Sequence, residues 1–287
     1  MPSIAELGEQ GACMVEARGN AALIDGDTRL VVIVADPVAQ VKSPQLFNAF
    51  FQLRGINAVL VPAHVAPACL GAALEGFRAL RNLAGVVLTV PHKMQVARWV
   101  TNLSSRAVAS GAVNCLRKND DGSWEGDNFD GAGFVRGLKA HGHDLAHAHV
   151  LLVGAGGGAG SALAHALCEE GIARLDLHDV AAESLAAVKE RLRTRYESVA
   201  LAESKPVVRP EHTLVINASP IGMRADDACP IEIEGASAAA VIADLIMKPE
   251  RTALLARAER QGLRTHAGRH LLEHSVEQMV KYFRLKA

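Results

Sequence analysis

A chain of 287 residues, 49% hydrophobic and 21% charged, is rich enough in core-forming side chains to exclude disorder and long enough for two domains. Its 30 Lys+Arg against 31 Asp+Glu give a formal net charge of −1. That balance excludes the basic footprint of a nucleic-acid or anionic-membrane binder.

From the N-terminus, MPSIAELGEQ carries early acids and no apolar h-region, which argues against a secretory signal. The first 25 or so residues show little pattern and are expected to be loosely attached. LVVIVA (30–35) then reads as a buried strand, and SPQLFNAFFQLRG as a helix capped by Ser43 and ended at Gly55. NAVLVPAHV is a second strand, Pro67 to Leu83 a second helix, and GVVLTV a third strand closed by Pro91. This β-α-β-α-β rhythm predicts an α/β fold with a mostly parallel sheet and helices on both faces. RKNDDGSWEGDN (117–128) is turn-rich and predicts a hairpin.

A second α/β series starts at HVLLVGAGGGAG, with strands predicted at 149–153, 174–178, 213–217 and 240–244. The closing GLRTHAGRHLLEHSVEQMVKYFRL predicts a helix that returns to the first domain. No apolar stretch reaches about 18 residues, so no membrane span is expected. Five cysteines (Cys13, Cys69, Cys115, Cys168, Cys229) are an odd number without a CxxC pair. They read as reduced thiols of a cytoplasmic protein rather than a disulfide framework or zinc site.

The second series opens on a motif with chemistry. Gly154, Gly156, Gly157, Gly158 and Ala159 fit G-x-G-x-x-[GA] directly after a strand and ahead of the helix SALAHALCEE. Such a turn lets backbone approach a pyrophosphate, which the helix N-terminus then holds. Asp179, 25 positions after Gly154, ends the next strand, where a carboxylate accepts hydrogen bonds from an adenosine ribose. It would repel a 2′-phosphate, so the expected cofactor is NAD in preference to NADP. The competing role for Asp179 is an N-cap for the helix at Ala181.

Lys93, in LTVPHKMQV, follows a strand end, a place where side chains project into a cleft. A free lysine, with an ordinary pKa of about 10.4, is a poor base at neutral pH and needs desolvation or a tuned partner. Asp130, in GDNFDGAGF, is the candidate partner for exchanging a hydroxyl proton as hydride leaves carbon. A structural ion pair is the alternative for the same two residues.

Together these segments resemble the shikimate dehydrogenase superfamily, in the family's order and over about residues 30 to 284. DPVAQVKSP with FNAFF resembles the entry motif, and LTVPHK the V-T-x-P-x-K motif, which sets Lys93 at the catalytic lysine. SGAVNCL resembles G-A-V-N-T, with Asn114 at the substrate-binding asparagine. GDNFDGAGF resembles G-x-N-T-D-x-x-G, with Asp130 at the catalytic aspartate. VINASPIGM resembles N-A-[ST]-P-x-G-M, adding Asn217, Ser219, Pro220 and Met223 to the cofactor side. DLIMKPERTALL and GRHLLEHSVEQMVKYF resemble the last two motifs. The resemblance implies nicotinamide-dependent hydride transfer at a ring hydroxyl of shikimate type, with Ser43, Thr89 and Asn114 on the substrate.

Several positions depart from the family pattern. Val41 replaces the first serine of S-x-S-P, Met247 the tyrosine of D-x-x-Y-x-P, and Ser275 the glutamine of G-x-x-M-L-x-x-Q. Phe129 stands for the threonine before the aspartate, and Val87 for the asparagine of N-V-T. Chemistry is thus retained while the positions around the substrate change, which implies weakened or altered selectivity. Gln40, Lys42, Arg269 and His270 are candidate compensators. Quinate or another cyclitol, or a non-enzymatic cofactor-binding regulator, are the alternatives.

His141, His143, His147 and His149 alternate in KAHGHDLAHAH and read as solvated linker histidines, so no metal site is expected. His266, His270 and His274 recur at i, i+4 and i+8 and read as one polar helix face. Asn48, Asn217 and Ser219 are read as backbone-satisfying rather than reacting. The resulting division is residues 26–130 with 265–287 as substrate domain and 131–264 as Rossmann-like dinucleotide domain. The expected partner is a small hydroxylated ring, in a monomer or homodimer.

Overall fold

Residues 24–287 are described by a computed structural model; Cys13 and nearly all of the opening segment expected to be loosely attached lie outside them. The first sheet starts with β1 (Arg29–Ala35), β2 (Ala58–His64) and β3 (Leu83–Leu88), with β1 parallel to both its neighbours. Strand β1 has no polar side to offer solvent. Val31 and Ile33 enter one hydrophobic cluster and Val32 and Val34 another, so successive side chains feed cores on opposite faces.

Beyond β3 the sheet turns antiparallel. The expected hairpin is β5 (Cys115–Lys118) and β6 (Trp124–Asp127), and a two-residue strand β4 (Asn102–Leu103) runs parallel to β6. The sheet is therefore mixed, in the order β2-β1-β3-β5-β6-β4.

Helix α1 (Ser43–Leu53) corrects the predicted cap. Lys42 holds the N-cap position without a side-chain bond, and Ser43 is already helical because Pro44 fills the first turn. The helix ends at Gly55, φ +64°, as its sequence suggested. The second helix is shorter than expected: a 3-10 turn at Pro67–Cys69 leads into α2 (Leu70–Ala79). Three further short helices follow: α3 (His92–Gln95), α4 (Ser105–Ser110) and α5 (Asp130–Ala140).

The second sheet is fully parallel: β7 (His149–Val153), β8 (Arg174–His178), β9 (Ala200–Glu203), β10 (Leu214–Asn217), β11 (Val241–Asp244) and β12 (Arg264–His266). Its order, β12-β11-β10-β7-β8-β9, is the doubly wound order with its switch point between β7 and β10. Helices α6 (Gly158–Glu169), α7 (Ala182–Arg193) and α8 (Ala253–Arg260) connect the strands. Again one strand serves two cores: Val150 and Leu152 face one cluster, Leu151 and Val153 the other.

The last helix, α9 (Arg269–Tyr282), does return to the first sheet. Leu272, Val276, Met279 and Val280 enter the core that holds Val31 and Phe47, while Leu271 enters the core beneath β7. One helix thus packs on both halves. No helix among the described residues is long and apolar enough to cross a membrane.

Candidate active site

Three backbone segments of the first half converge on Asp130. Lys93 sits on the one-turn helix α3 that follows β3 and Pro91. Asn114 immediately precedes β5, its backbone held by bonds from Leu88 N–H to its carbonyl and from its own N–H to Asp127 O. Asp130 is the first residue of α5, where an acid meets the positive end of the helix dipole.

The side chains close a compact network. Lys93 Nζ donates to Asp130 Oδ2 at 2.7 Å, and Asn114 Nδ2 donates to Asp130 Oδ1 at 2.9 Å. Asn114 Oδ1 in turn accepts Phe129 N–H at 3.0 Å, which fixes which way its amide points. Asn128 Oδ1 accepts Asp130 N–H at 3.0 Å, and Asn128 Nδ2 reaches Ala112 O. Lys93 and Asp130 keep 14% and 6% of their side-chain surface, so the pair is mostly desolvated and each charge depends on the other. Asn128 was available in GDNFD as a turn asparagine, and it completes the support of the carboxylate.

Behind this network, Arg106 grips Asp127 through Nε and Nη2, and its guanidinium lies 4.7 Å from the Phe129 ring. Phe129, where the family pattern has threonine, is a core residue packed on Tyr282. Among the expected substrate residues, Ser43 is buried at the start of α1, and Thr89 sits half-buried just past β3 with its N–H on Val34 O. Val41 and Met247 pack against the first core, and Met247 touches the second core too.

Ser275 is a correction. Its hydroxyl is fully buried, donates to Leu271 O at 2.6 Å and lies 3.2 Å from Phe129 O. A Cβ on Gly133 would collide with it. The group is used up within the α5–α9 contact and is not presented to a ligand.

The cofactor turn lies at the switch point. Gly154 has φ +84°, and a Cβ there would stand 2.5 Å from Ser219 N, so the turn after β7 and the turn after β10 touch backbone to backbone. Gly157 caps α6, and Ser161 N–H is the first to bond back, to Gly157 O. The N–H groups of Gly158, Ala159 and Gly160 therefore precede any intrahelical partner and suit a phosphate. This loop geometry fits a dinucleotide. A Cβ on Gly158 would also lie 3.1 Å from Lys93 Cβ, so the start of α6 abuts the catalytic candidate.

Asn217 is fully buried. Its amide donates to Asp244 Oδ1 and Ile221 O and accepts Ser219 N–H and Oγ–H. It shapes the 218–223 turn, whose Pro220 and Met223 stand exposed, and so acts as a brace rather than a direct contact. Burial raises the Asp244 carboxyl to about 6, against the lowering effect of Ile246 N–H, Thr252 and Asn217.

Asp179 also bonds within its own turn. Oδ2 accepts Gly156 N–H and Oδ1 accepts Ala181 N–H, both at 2.8 Å. Both oxygens already serve the turn, which is closer to the capping alternative. Arg191 is turned away to the junction of the two halves, where it donates to Ala109 O and Ser110 O.

Residues 33–116 match the family model described as the shikimate dehydrogenase substrate binding domain. The shikimate dehydrogenase (NADP(+)) of Rubrobacter xylanophilus is 36% identical over 87% of this chain and 88% of its own. The solved shikimate 5-dehydrogenase of Thermus thermophilus, in complex with NADP(H) and shikimate, has a TM-score of 0.79 at 26% identity, covering 89% of this chain and 93% of its own. The 5-ketofructose reductase of a Gluconobacter species has a TM-score of 0.78 at 25% identity, with 89% and 92% covered.

The chain belongs to the shikimate dehydrogenase family and is a nicotinamide-dependent dehydrogenase. Expecting NAD over NADP is corrected: curated relatives carry NADP(+) in their names, and the Thermus structure holds NADP(H). Asp179 bonds Gly156 N–H and Ala181 N–H within its own turn, so an acid at this position also serves the turn and does not by itself select NAD.

Proposed function

We propose that this protein is an NADP(H)-dependent dehydrogenase that interconverts a ring hydroxyl and a ketone on a shikimate-like substrate, with altered substrate selectivity. The observation that carries this reading is the Lys93–Asp130–Asn114 network set directly against Gly158. When bound, the nicotinamide accepts or donates the hydride. Lys93 and Asp130 exchange the hydroxyl proton, so that hydride and proton leave the same H–C–O–H unit. Asn114 fixes the carboxylate, with Ser43 and Thr89 as candidate substrate contacts. Two domains divide the work, at 26–130 with 265–287 and at 131–264.

Apolar Val41 and Met247 and the sealed Ser275 support the altered selectivity, since three polar positions of the family pattern offer no hydrogen bond to a ring. A hydrogen bond to a charged group is worth about 1.5–3 kcal/mol, so such losses change substrate choice by orders of magnitude. The likeness to a ketofructose reductase favours a second reading, a different polyol or cyclitol, quinate included. Hydride-transfer rates with NADP+ across shikimate, quinate and related cyclitols test both. Absence of turnover on every substrate, with NADP+ bound, would overturn the assignment.

A further inference from the structure

The histidines that the sequence scatters over two segments come together in space. His141 is the C-cap residue of α5, His266 the last residue of β12, and His270 lies in the first turn of α9. One nitrogen from each ring lies within 4.8 Å of the other two. The expected single polar face at i, i+4 and i+8 does not form, because His266 belongs to a strand. The expected solvated linker also loses His141 to this cluster, with ring centroids 4.0 Å from His270 and 5.3 Å from His266.

We propose that His141, His266 and His270 bind one divalent transition-metal ion of the zinc class. The hydrogen bonds around the rings already select the ligating form. His141 Nδ1 lies 2.8 Å from Gly137 O, and a carbonyl only accepts, so Nδ1 carries the proton and Nε2 keeps its lone pair. His270 Nδ1 lies 2.9 Å from Glu273 Oε2, which leaves its Nε2 free in the same way. That His–carboxylate pairing is the support that metal-bound imidazoles use for orientation and basicity.

His266 supplies the third lone pair. It is 1% exposed, and its Nε2 is buried without any hydrogen-bond partner, a state that buried polar atoms rarely occupy. The Phe134 and His143 rings pack edge-on against it, so the nitrogen is held within the cluster rather than turned to solvent. Three imidazole nitrogens suit zinc, cobalt or nickel and not magnesium or calcium, which prefer oxygen. Nitrogens about 2.1 Å from a tetrahedral zinc stand roughly 3.4 Å apart. Loading therefore draws the rings together, and the exposed His141 has the freedom to move. Glu273 offsets part of the ion's charge, while Arg136 and Arg264 lie nearby and oppose it. The site ties the far end of the Asp130 helix to β12 and α9, which makes it a structural clasp away from the hydride-transfer centre.

The test uses the full untagged chain, stripped with chelator and dialysed, then titrated calorimetrically with Zn2+ and spectroscopically with Co2+. One ion per chain, a rise in Tm and tetrahedral-type Co2+ absorption are expected, with no response to Mg2+. Glu273→Gln should weaken Zn2+ binding about ten-fold, and His141→Ala or His270→Ala more, whereas His147→Ala, exposed in the same linker, should not change it. His141 is exposed, so His141→Ala is expected to keep the metal-free Tm of the parent and to report binding alone. No saturable Zn2+ binding, or equal affinity in His141→Ala and His147→Ala, overturns the proposal.

Discussion

Lys93 and Gly158 come from different halves of the molecule, yet a Cβ on Gly158 would stand only 3.1 Å from Lys93 Cβ. A Cβ at the first residue of α6 would therefore press on the lysine's own stem, which must give by a few tenths of an ångström. Position of the lysine and seating of the cofactor helix are one geometric problem. Gly158→Ala should be tolerated with a modest loss, while Gly158→Val should displace Lys93 and lower kcat by roughly 10- to 100-fold. Steady-state kinetics with saturating cofactor check this; a Val variant with parental kcat would show that α6 does not set the lysine.

The Lys93–Asp130 pair is expected to act as a unit. Lys93→Ala and Asp130→Asn should each reduce kcat about 10²–10⁴-fold with little change in NADP+ affinity. The double variant should be scarcely slower than either single one. Asn114→Ala leaves both partners but frees one carboxylate oxygen, so it should give a smaller kcat defect. Additive losses in the double variant would mean the two residues serve separate roles.

Cofactor preference is expected to follow the NADP(+)-named relatives, with Asp179 serving its own turn. Higher kcat/KM with NADP+ than with NAD+ is expected. Asp179→Ala strips the acceptor from Gly156 N–H and Ala181 N–H, which loosens the turn for either nucleotide. KM should rise by similar factors for both. A variant whose NADP+/NAD+ ratio alone changes would show that the carboxylate faces the ribose.

Much of this was legible because it is local. The strand–glycine turn–helix, the hairpin around NDDG and the helix stop at Gly55 depend on neighbours a few residues away. Ser43 was misread as a cap because Pro44 already satisfies the first turn. Ser275 and Asp179 were read incompletely for another reason: residue type reports what a side chain is able to bond, not which partner reaches it first. The backbone carbonyls of Leu271 and Phe129 take the Ser275 hydroxyl, and two backbone N–H groups take the Asp179 carboxylate. The histidine cluster was invisible because its members lie 125 and 129 positions from His141 along the chain.

Acid stability should be set partly by His165. Burial in α6, with Arg191 and Arg195 nearby, lowers its pKa from 6.5 to about 4, and neither ring nitrogen has a partner. The unfolded chain therefore takes up the proton first, and stability present above 6.5 is lost as pH falls toward 4. Asp244 acts oppositely: its folded pKa of about 6 exceeds 3.8, so its contribution falls as pH rises between those values. Each full proton difference changes stability by about 1.4 kcal/mol per pH unit. Denaturant unfolding of His165→Leu should show a shallower acid-side decline than the parent. A parental pH profile in that variant would rule His165 out.

Of the departures at Val41, Met247 and Ser275, substrate selectivity should respond to the first two and not to the third. Val41 and Met247 are only partly buried against the core, so a polar side chain there is not sealed off. Val41→Ser, then Val41→Ser with Met247→Tyr, should lower KM for shikimate stepwise, since contacts remote from the reacting carbon bind ground and transition states alike. The gains need not add, because both positions would serve one ligand. Ser275→Gln differs physically: its hydroxyl already fills the space over Gly133 and bonds Leu271 O. A glutamine there overfills a closed contact, at a cost of about 1–3 kcal/mol, and should lower Tm without improving KM. Recovery of shikimate KM by Ser275→Gln at unchanged Tm would show that the α5–α9 contact opens to the substrate.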